Sequence, residues 1–139
     1  MPISAKEVTY ITFGHDAFVE KIKRELCKVS KENLIVATKI RKDPVILRLT
    51  EEAIRRGAKV KMILPKSERS FKEWKELGAQ VRYSKVQVEL GFSTFDNFIC
   101  RVNFLENEKQ NPTLWIENTP FVGLLRERFE NLWKSAESR

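Results

Sequence analysis

The sequence is poor in the residues on which most metal centres and disulfide frameworks depend. Among 139 residues there are two cysteines, Cys27 and Cys100, and one histidine, His15. Two cysteines cannot form a disulfide framework or a four-ligand zinc site, and a lone histidine excludes most metal centres and histidine-based catalytic sites. Both cysteines fall on predicted apolar faces, which favours buried thiols. We therefore expect neither a metal nor another cofactor.

The sequence also lacks a long hydrophobic run. No apolar stretch approaches the ~18 residues that a membrane span needs, and residues 1–13 lack the basic flank and apolar segment of a secretory signal. These absences predict a cytoplasmic protein without a membrane partner. With 42% hydrophobic and 10% aromatic residues, the composition excludes wholesale disorder, and the length predicts a single domain over residues 1–139.

The charge balance is basic. There are 26 lysines and arginines against 19 acidic residues, which gives a net charge of +7. Such a balance favours nucleic acid, an anionic ligand or an acidic partner. Because 32% of the residues are charged and both signs are interleaved, a solvated surface like that of many thermophile proteins explains the charge equally well.

Strand and helix patterns alternate along the first part of the chain. Short apolar and β-branched runs separate three amphipathic segments that have helical spacing. The predicted strands are 8–13, 34–38, 60–64 and 80–83. Asp16, Asp43 and Ser70 are the predicted helix N-caps. Gly57 and Gly78 are predicted to end the helices before them, in the left-handed backbone conformation.

The pattern changes after residue 84. Apolar residues alternate with polar ones over 86–90 and again over 98–104. This spacing predicts two antiparallel strands on either side of a turn at Asp96-Asn97.

A further strand over 114–117 leads into the last helix, which Thr119 is predicted to cap. Phe129 and Trp133 lie on its apolar stripe together with Leu125. The whole order of elements predicts an α/β layered sandwich, with a mainly parallel mixed sheet and helices on both faces.

The loops after the predicted strands form a basic rim. Ligands of doubly wound sheets usually bind beyond the carboxyl ends of the strands, and cations there attract anions. Arg41 is the most suitable of them for a bidentate contact with a phosphate or carboxylate, although the same side chains could simply face water. The candidate ligands are His15, Lys39, Arg41, Lys42, Lys66 and Lys85.

Three segments resemble a known superfamily. The stretch AIRRGAKVKMIL at 53–64 is similar to the "helix, Arg-Gly-Val-Lys-Val, strand" segment of phospholipase D-like domains. The stretch EWKELGAQV at 73–81 resembles their following short helix and strand, and FENLW at 129–133 resembles their terminal helix. The resemblance extends over residues 8–136 in the same order.

The resemblance implies a catalytic signature, His-x-Lys-x4-Asp, in which histidine attacks phosphorus, lysine holds the phosphate oxygens and aspartate orients the histidine. Asp96 fits the aspartate, but Glu89 stands at the histidine position and Gly91 at the lysine position. A carboxylate repels a phosphodiester and glycine carries no charge. We therefore expect no phosphodiesterase or phospholipase activity.

Domains of this degenerate kind resemble the effector-sensing domains of archaeal TrmB-type transcriptional regulators. The resemblance implies a non-catalytic sensory or regulatory domain that forms a homodimer and binds a small anionic effector. A basic nucleic-acid-binding module is the alternative, although the sequence lacks the interleaved aromatic and basic residues of common RNA-binding motifs.

The homodimer has a second argument in the sequence. Four phenylalanines, Phe92, Phe95, Phe98 and Phe104, lie in or beside the predicted hairpin. One covered sheet face needs fewer large apolar side chains, and an exposed apolar patch often marks an interface.

Overall fold

The computed structural model describes residues 9–38, 43–88, 90–103 and 112–138. Strands and helices alternate along the chain until the fourth strand, as the sequence predicts. The strands are β1 (Thr9–Thr12), β2 (Glu32–Val36), β3 (Lys59–Leu64), β4 (Gln80–Tyr83), β5 (Gly91–Phe95), β6 (Ile99–Asn103), β7 (Thr113–Ile116) and β8 (Glu137–Ser138). The helices are α1 (His15–Leu26), α2 (Pro44–Arg55), α3 (Phe71–Leu77) and α4 (Thr119–Ser135).

All eight strands form one mixed sheet in the order β1-β7-β6-β5-β2-β3-β4-β8. The predicted α/β sandwich with a mixed sheet is confirmed, and β2 and β3 are interior strands as expected. Parallel pairing is confined to β2–β3 and β3–β4, and the other five pairings are antiparallel. The sheet is less parallel than expected because the β5–β6 hairpin and β7 lie between β1 and β2.

The helices cover both faces of the sheet. α1, α2 and α3 lie on one face, where Leu26 and Ala53 pack against Phe95 and Trp115. α4 crosses the opposite face and packs against β2, β3, β5 and β6. Phe129 of α4 is fully buried there, and its ring stacks on that of Trp133 with centroids 5.5 Å apart. The predicted packing of the last helix is therefore confirmed.

The helix caps agree with the sequence in the middle of the chain and differ near its ends. Asp43 caps α2 as predicted, because its side chain accepts hydrogen bonds from the amides of Val45 and Ile46. Gly14, with φ of 86°, replaces Asp16 as the N-cap of α1, since only glycine readily adopts this conformation. Asn118 replaces Thr119 at α4 and accepts a hydrogen bond from the amide of Phe121 at 2.8 Å.

Ser70 is the N-cap residue of α3 as predicted, but its side chain forms no capping hydrogen bond, and its hydroxyl donates to Glu68 at 2.6 Å. One smaller prediction is wrong. Cys27 is exposed, since α1 ends at Leu26 and Cys27 is its C-cap. Cys100 is buried as predicted, and burial raises the pKa of its thiol to about 12.

The first arm of the hairpin lies further along the chain than predicted. β5 begins at Gly91, and the described residues of 86–90 form no strand. Every residue of β5 is buried, so the strand lacks the alternation that marks a half-exposed strand. In the alternating segment before β5, the side chain of Val86 is 58% exposed.

Candidate anion-binding edge

The candidate site lies at one edge of the sheet, which we call the upper edge. Thr12, Thr113, Asn103, Gly91 and Val36 follow one another along this edge, as the strand registers show. α1 and α2 follow β1 and β2 directly and therefore begin here. The upper edge thus includes the carboxyl ends of the parallel strands, where the sequence placed the site.

His15 is paired with a carboxylate at the upper edge. Its Nε2 lies 3.1 Å from Oδ2 of Asp43, so the first residue of α1 contacts the N-cap of α2. Burial raises the pKa of Asp43, but the hydrogen bonds from His15 and from two backbone amides outweigh burial and lower it overall. The only histidine of the chain therefore joins two helix N-termini.

The structure does not gather the other described members of the basic rim around His15. Nζ of Lys66 lies 3.5 Å from Oε2 of Glu137, in an exposed ion pair, and Lys85 is exposed. Lys39, Arg41 and Lys42 lie outside the described residues. The predicted rim thus stays a prediction for these three residues.

Two of the three signature positions are described, and they lie far apart. Gly91 is at the upper edge, where a Cβ atom would meet the carbonyl oxygen of Val36 at 3.4 Å, an ordinary contact distance. Packing therefore does not require glycine at this position. Asp96 lies five residues on, roughly 15 Å away at ~3.3 Å per strand residue. Glu89 lies outside the described residues.

Asp96 binds the backbone at the opposite edge of the sheet. Its carboxylate accepts hydrogen bonds from the amides of Ser30, Lys31 and Glu32 at 3.1, 2.9 and 2.9 Å. The residue is 4% exposed and has φ of 52° in the β5–β6 turn. Asp96 therefore holds the start of β2, and its carboxylate reaches no histidine.

Sequence reasoning missed a polar chain on the α1 side of the upper edge. Nη1 of Arg101 donates to Oδ1 of Asn103, and Nδ2 of Asn103 donates to Oγ1 of Thr113 at 3.0 Å. The guanidinium lies 5.3 Å from the ring centroid of Phe18 in α1. Burial lowers the pKa of Arg101 to about 10, so it remains a cation at neutral pH. The sequence signal that could have revealed this polar chain is a charged residue within an interior strand.

A pocket of about 210 Å³ opens at the opposite edge, beside the hairpin turn. Two of its acidic residues already have partners: Oε2 of Glu25 lies 2.8 Å from Nζ of Lys21, and the Asp96 carboxylate accepts from the three amides. Among the described residues, no group of three metal-ligating side chains occurs. This pocket is therefore a weaker candidate for a functional site than the upper edge.

The phenylalanine patch predicted for dimerisation is mostly core. Phe92 and Phe95 are each 3% exposed, and Phe98 alone among the described members is 66% exposed; Phe104 lies outside the described residues. Each strand of the hairpin packs under helices on both faces, which explains the burial. Exposed apolar residues occur instead near the upper edge, at Ile11, Phe13, Val86 and Leu90.

In the described part of the chain, no helix combines the length and apolarity needed to cross a membrane.

No protein-family model and no curated protein matches the sequence. Solved structures do match its fold. Nuc of Salmonella typhimurium, a phospholipase D family member, superposes with a TM-score of 0.79 at 14% identity, covering 96% of this chain and 98% of Nuc. NucT of Helicobacter pylori gives a TM-score of 0.79 at 11% identity, covering 96% of this chain and 99% of NucT.

A third match is the archaeal chromatin protein TrmBL2, whose structure is described as showing a novel mode of DNA binding. Its TM-score is 0.74 at 19% identity, and the match covers 94% of this chain. The chain corresponds to only about half of TrmBL2, 53% of its length. Together the three matches confirm what the sequence motifs predicted: the chain has a phospholipase D-like fold, and the fold resembles that of a TrmB-type protein.

Proposed function

We propose that this chain is a non-catalytic phospholipase D-like domain with a sensory or regulatory role, which dimerises and binds a small anionic effector at the upper edge. One observation supports the proposal most directly: the groups that a phosphodiesterase needs are absent or engaged elsewhere. Gly91 has no side chain, Asp96 binds three backbone amides, and His15 is paired with Asp43. At the histidine position itself the sequence has Glu89.

The regulatory part of the proposal draws on the resemblance to TrmBL2. In that protein the matching region is about half of a longer chain, and the protein is described as an archaeal chromatin protein. A domain that has kept this fold without the catalytic pair is well suited to bind a ligand and transmit its presence to a partner. We extend this to a role in archaeal transcription regulation.

The first test is enzymatic. The purified chain should not hydrolyse a phosphodiester such as bis-p-nitrophenyl phosphate, because it offers no nucleophile beside a phosphate clamp. His15→Ala is the matched control, since it removes the only histidine. Turnover by the natural sequence that disappears in His15→Ala, or in a variant of any other residue of this chain, would contradict the proposal.

The second test addresses dimerisation and the effector together. Native mass spectrometry of the purified chain should give twice the 16.3 kDa mass of one chain, together with a retained small molecule. Exposed apolar residues near the upper edge provide the surface for the dimer. Phe13→Ser should shift the protein to monomers, because Phe13 is 59% exposed beside that edge.

Phe98→Ser is the matched control for the dimer. Phe98 is similarly exposed, at 66%, but lies at the hairpin turn on the opposite edge of the sheet. The control should remain dimeric. A monomer without ligand, or dissociation by Phe98→Ser and not by Phe13→Ser, is incompatible with dimerisation across the upper edge.

Nucleic-acid binding is the second candidate, favoured by the net charge of +7 and by the description of TrmBL2. Salt dependence separates the two functions. A protein that contacts six or more phosphates loses about 10³-fold in affinity between 50 and 200 mM salt. Titration of a fluorescent DNA duplex over this range would show that loss if the basic surface binds nucleic acid, whereas an effector domain should bind the duplex weakly throughout.

A further inference from the structure

We propose that Arg101 and Asn103 form the binding site for a carboxylate group at the upper edge, beneath the first turns of α1. This inference rests on the proposed function, because it names the chemical class of the effector and the residues that bind it. None of these residues belongs to the basic rim that the sequence suggested.

The first step is the unusual environment of Arg101. A guanidinium carries five N–H donors, yet among the described residues Arg101 forms one hydrogen bond, to the side chain of Asn103. Its Nε is buried without a partner. Within the described part of the chain, no carboxylate lies within ion-pair distance of Arg101.

Other arginines of the described chain show what Arg101 lacks. Arg56 donates to two backbone carbonyl oxygens at 2.8 and 3.0 Å. Arg126 lies 2.9 Å from a carboxylate oxygen of Glu32, and Arg82 donates to the carbonyl oxygen of Trp133 at 2.9 Å. Arg101 has one amide oxygen and the face of Phe18. A partly buried charge with few partners is costly, and among the described residues Arg101 has no anion beside it, so we infer an external anion as its partner.

The second step is access to this cation. The side chain of Arg101 reaches Asn103, the last residue of β6, and therefore points toward the upper edge. Asn103 pairs with Gly91 across the strands, and paired residues project from the same sheet face. Gly91 adds no side chain beside Asn103, although Val36 and Thr38 lie against that position. Arg101 itself keeps part of its surface exposed, which gives a ligand access to it from the upper edge.

The third step is the choice of anion. The site offers one cation, one amide and the hydroxyl of Thr113, and a monoanion neutralises a single guanidinium. The planar guanidinium fork matches the two oxygens of a carboxylate. A phosphate dianion would bring a second negative charge, for which the described residues of the site offer no second cation. The geometry therefore favours a carboxylate over a phosphate.

The test uses acetate and inorganic phosphate as probes at equal ionic strength. In ¹⁵N-labelled protein, acetate should shift the Arg101 Nε–H resonance saturably and raise the melting temperature. Phosphate should bind about tenfold more weakly, since it gains no charge-assisted contact to offset its extra charge. Lys66→Gln, a change in the exposed rim, should bind acetate like the natural sequence.

Two variants test the residues. Arg101→Gln should lose acetate binding. Asn103→Asp places a carboxylate where the amide oxygen already accepts from Arg101 and where Thr113 can donate its hydroxyl. This variant should be more thermostable without acetate and should no longer respond to it. Because Asn103→Asp supplies the missing charge internally, it remains informative even if Arg101→Gln does not fold.

The outcomes separate this inference from the function it rests on. Acetate binding that survives in Asn103→Asp and in folded Arg101→Gln would overturn the Arg101 site and leave the effector function standing. Phosphate binding as strong as acetate, and lost in Asn103→Asp, would overturn the carboxylate class. If the natural sequence binds neither probe, the inference fails, whereas the proposed function is still decided by the retained small molecule in native mass spectrometry.

Discussion

Replacement of Asp96 by alanine should lower the free energy of unfolding by roughly 3–6 kcal/mol, because three backbone amides each lose a charged acceptor. The amides belong to Ser30, Lys31 and Glu32, at distances of 2.9 to 3.1 Å from the carboxylate. Alanine also tolerates the positive φ of this turn less well than aspartate does. Urea denaturation with a constant m-value measures the loss directly.

Two further changes at the same position separate the causes. Asp96→Gly relieves the backbone conformation and removes all three hydrogen bonds, so it should remain strongly destabilised. Asp96→Asn keeps the preference for the left-handed conformation and one side-chain oxygen. The corresponding oxygen of Asp96, Oδ1, accepts from two of the amides, so this variant should lose much less free energy of unfolding. A loss below ~1 kcal/mol in Asp96→Ala would show that water replaces the carboxylate at these amides.

Replacement of Phe129 by alanine should cost about 3–5 kcal/mol of stability, the usual range for a buried phenylalanine. Phe129 is fully buried and lies among Leu34, Val36 and Ile63 of the sheet. Its removal leaves a cavity under α4 and also removes the ring that stacks on Trp133. Thermal and urea denaturation should both report the loss.

Leu124→Ala is the matched control in the same helix. Leu124 is 62% exposed, and surface substitutions usually change stability by less than about 0.5 kcal/mol. The pair of variants therefore separates the docking of α4 from its helix propensity. Equal, small effects of both substitutions would mean that α4 contributes little to the core.

Local features of the sequence predicted local features of the structure well. Asp43 before a proline and Gly57 after an apolar stripe mark the two ends of α2, because caps depend on a few neighbouring residues. The apolar runs at β2 and β3 likewise predicted interior strands. The alternation of predicted strands and helices, together with three segments similar to phospholipase D-like domains, was enough to indicate the fold.

Features that depend on distant pairing were harder to predict. β5 pairs with β2 in antiparallel register, and no local pattern encodes that choice. The alternation over 98–104 predicted an antiparallel strand but not its place in the sheet, where β6 is an interior strand with helices over both faces. The signature spacing identified Asp96 in the sequence. Its hydrogen bonds, however, reach amides 64 to 66 residues away in the chain, so its structural role could not be predicted without the fold.

The antiparallel pairing of β1 with β7 has a consequence for biosynthesis. Thr9 pairs with Ile116 and Thr12 with Thr113, so a strand made early can find its neighbour only after residues 113–116 have left the ribosome. The other outer strand, β8, comes later still and pairs with β4. Until then the nascent chain exposes unpaired strand edges, which invite association between chains. Slow translation of residues 113–138 should therefore promote aggregation, whereas a pause after these residues have left the ribosome should not.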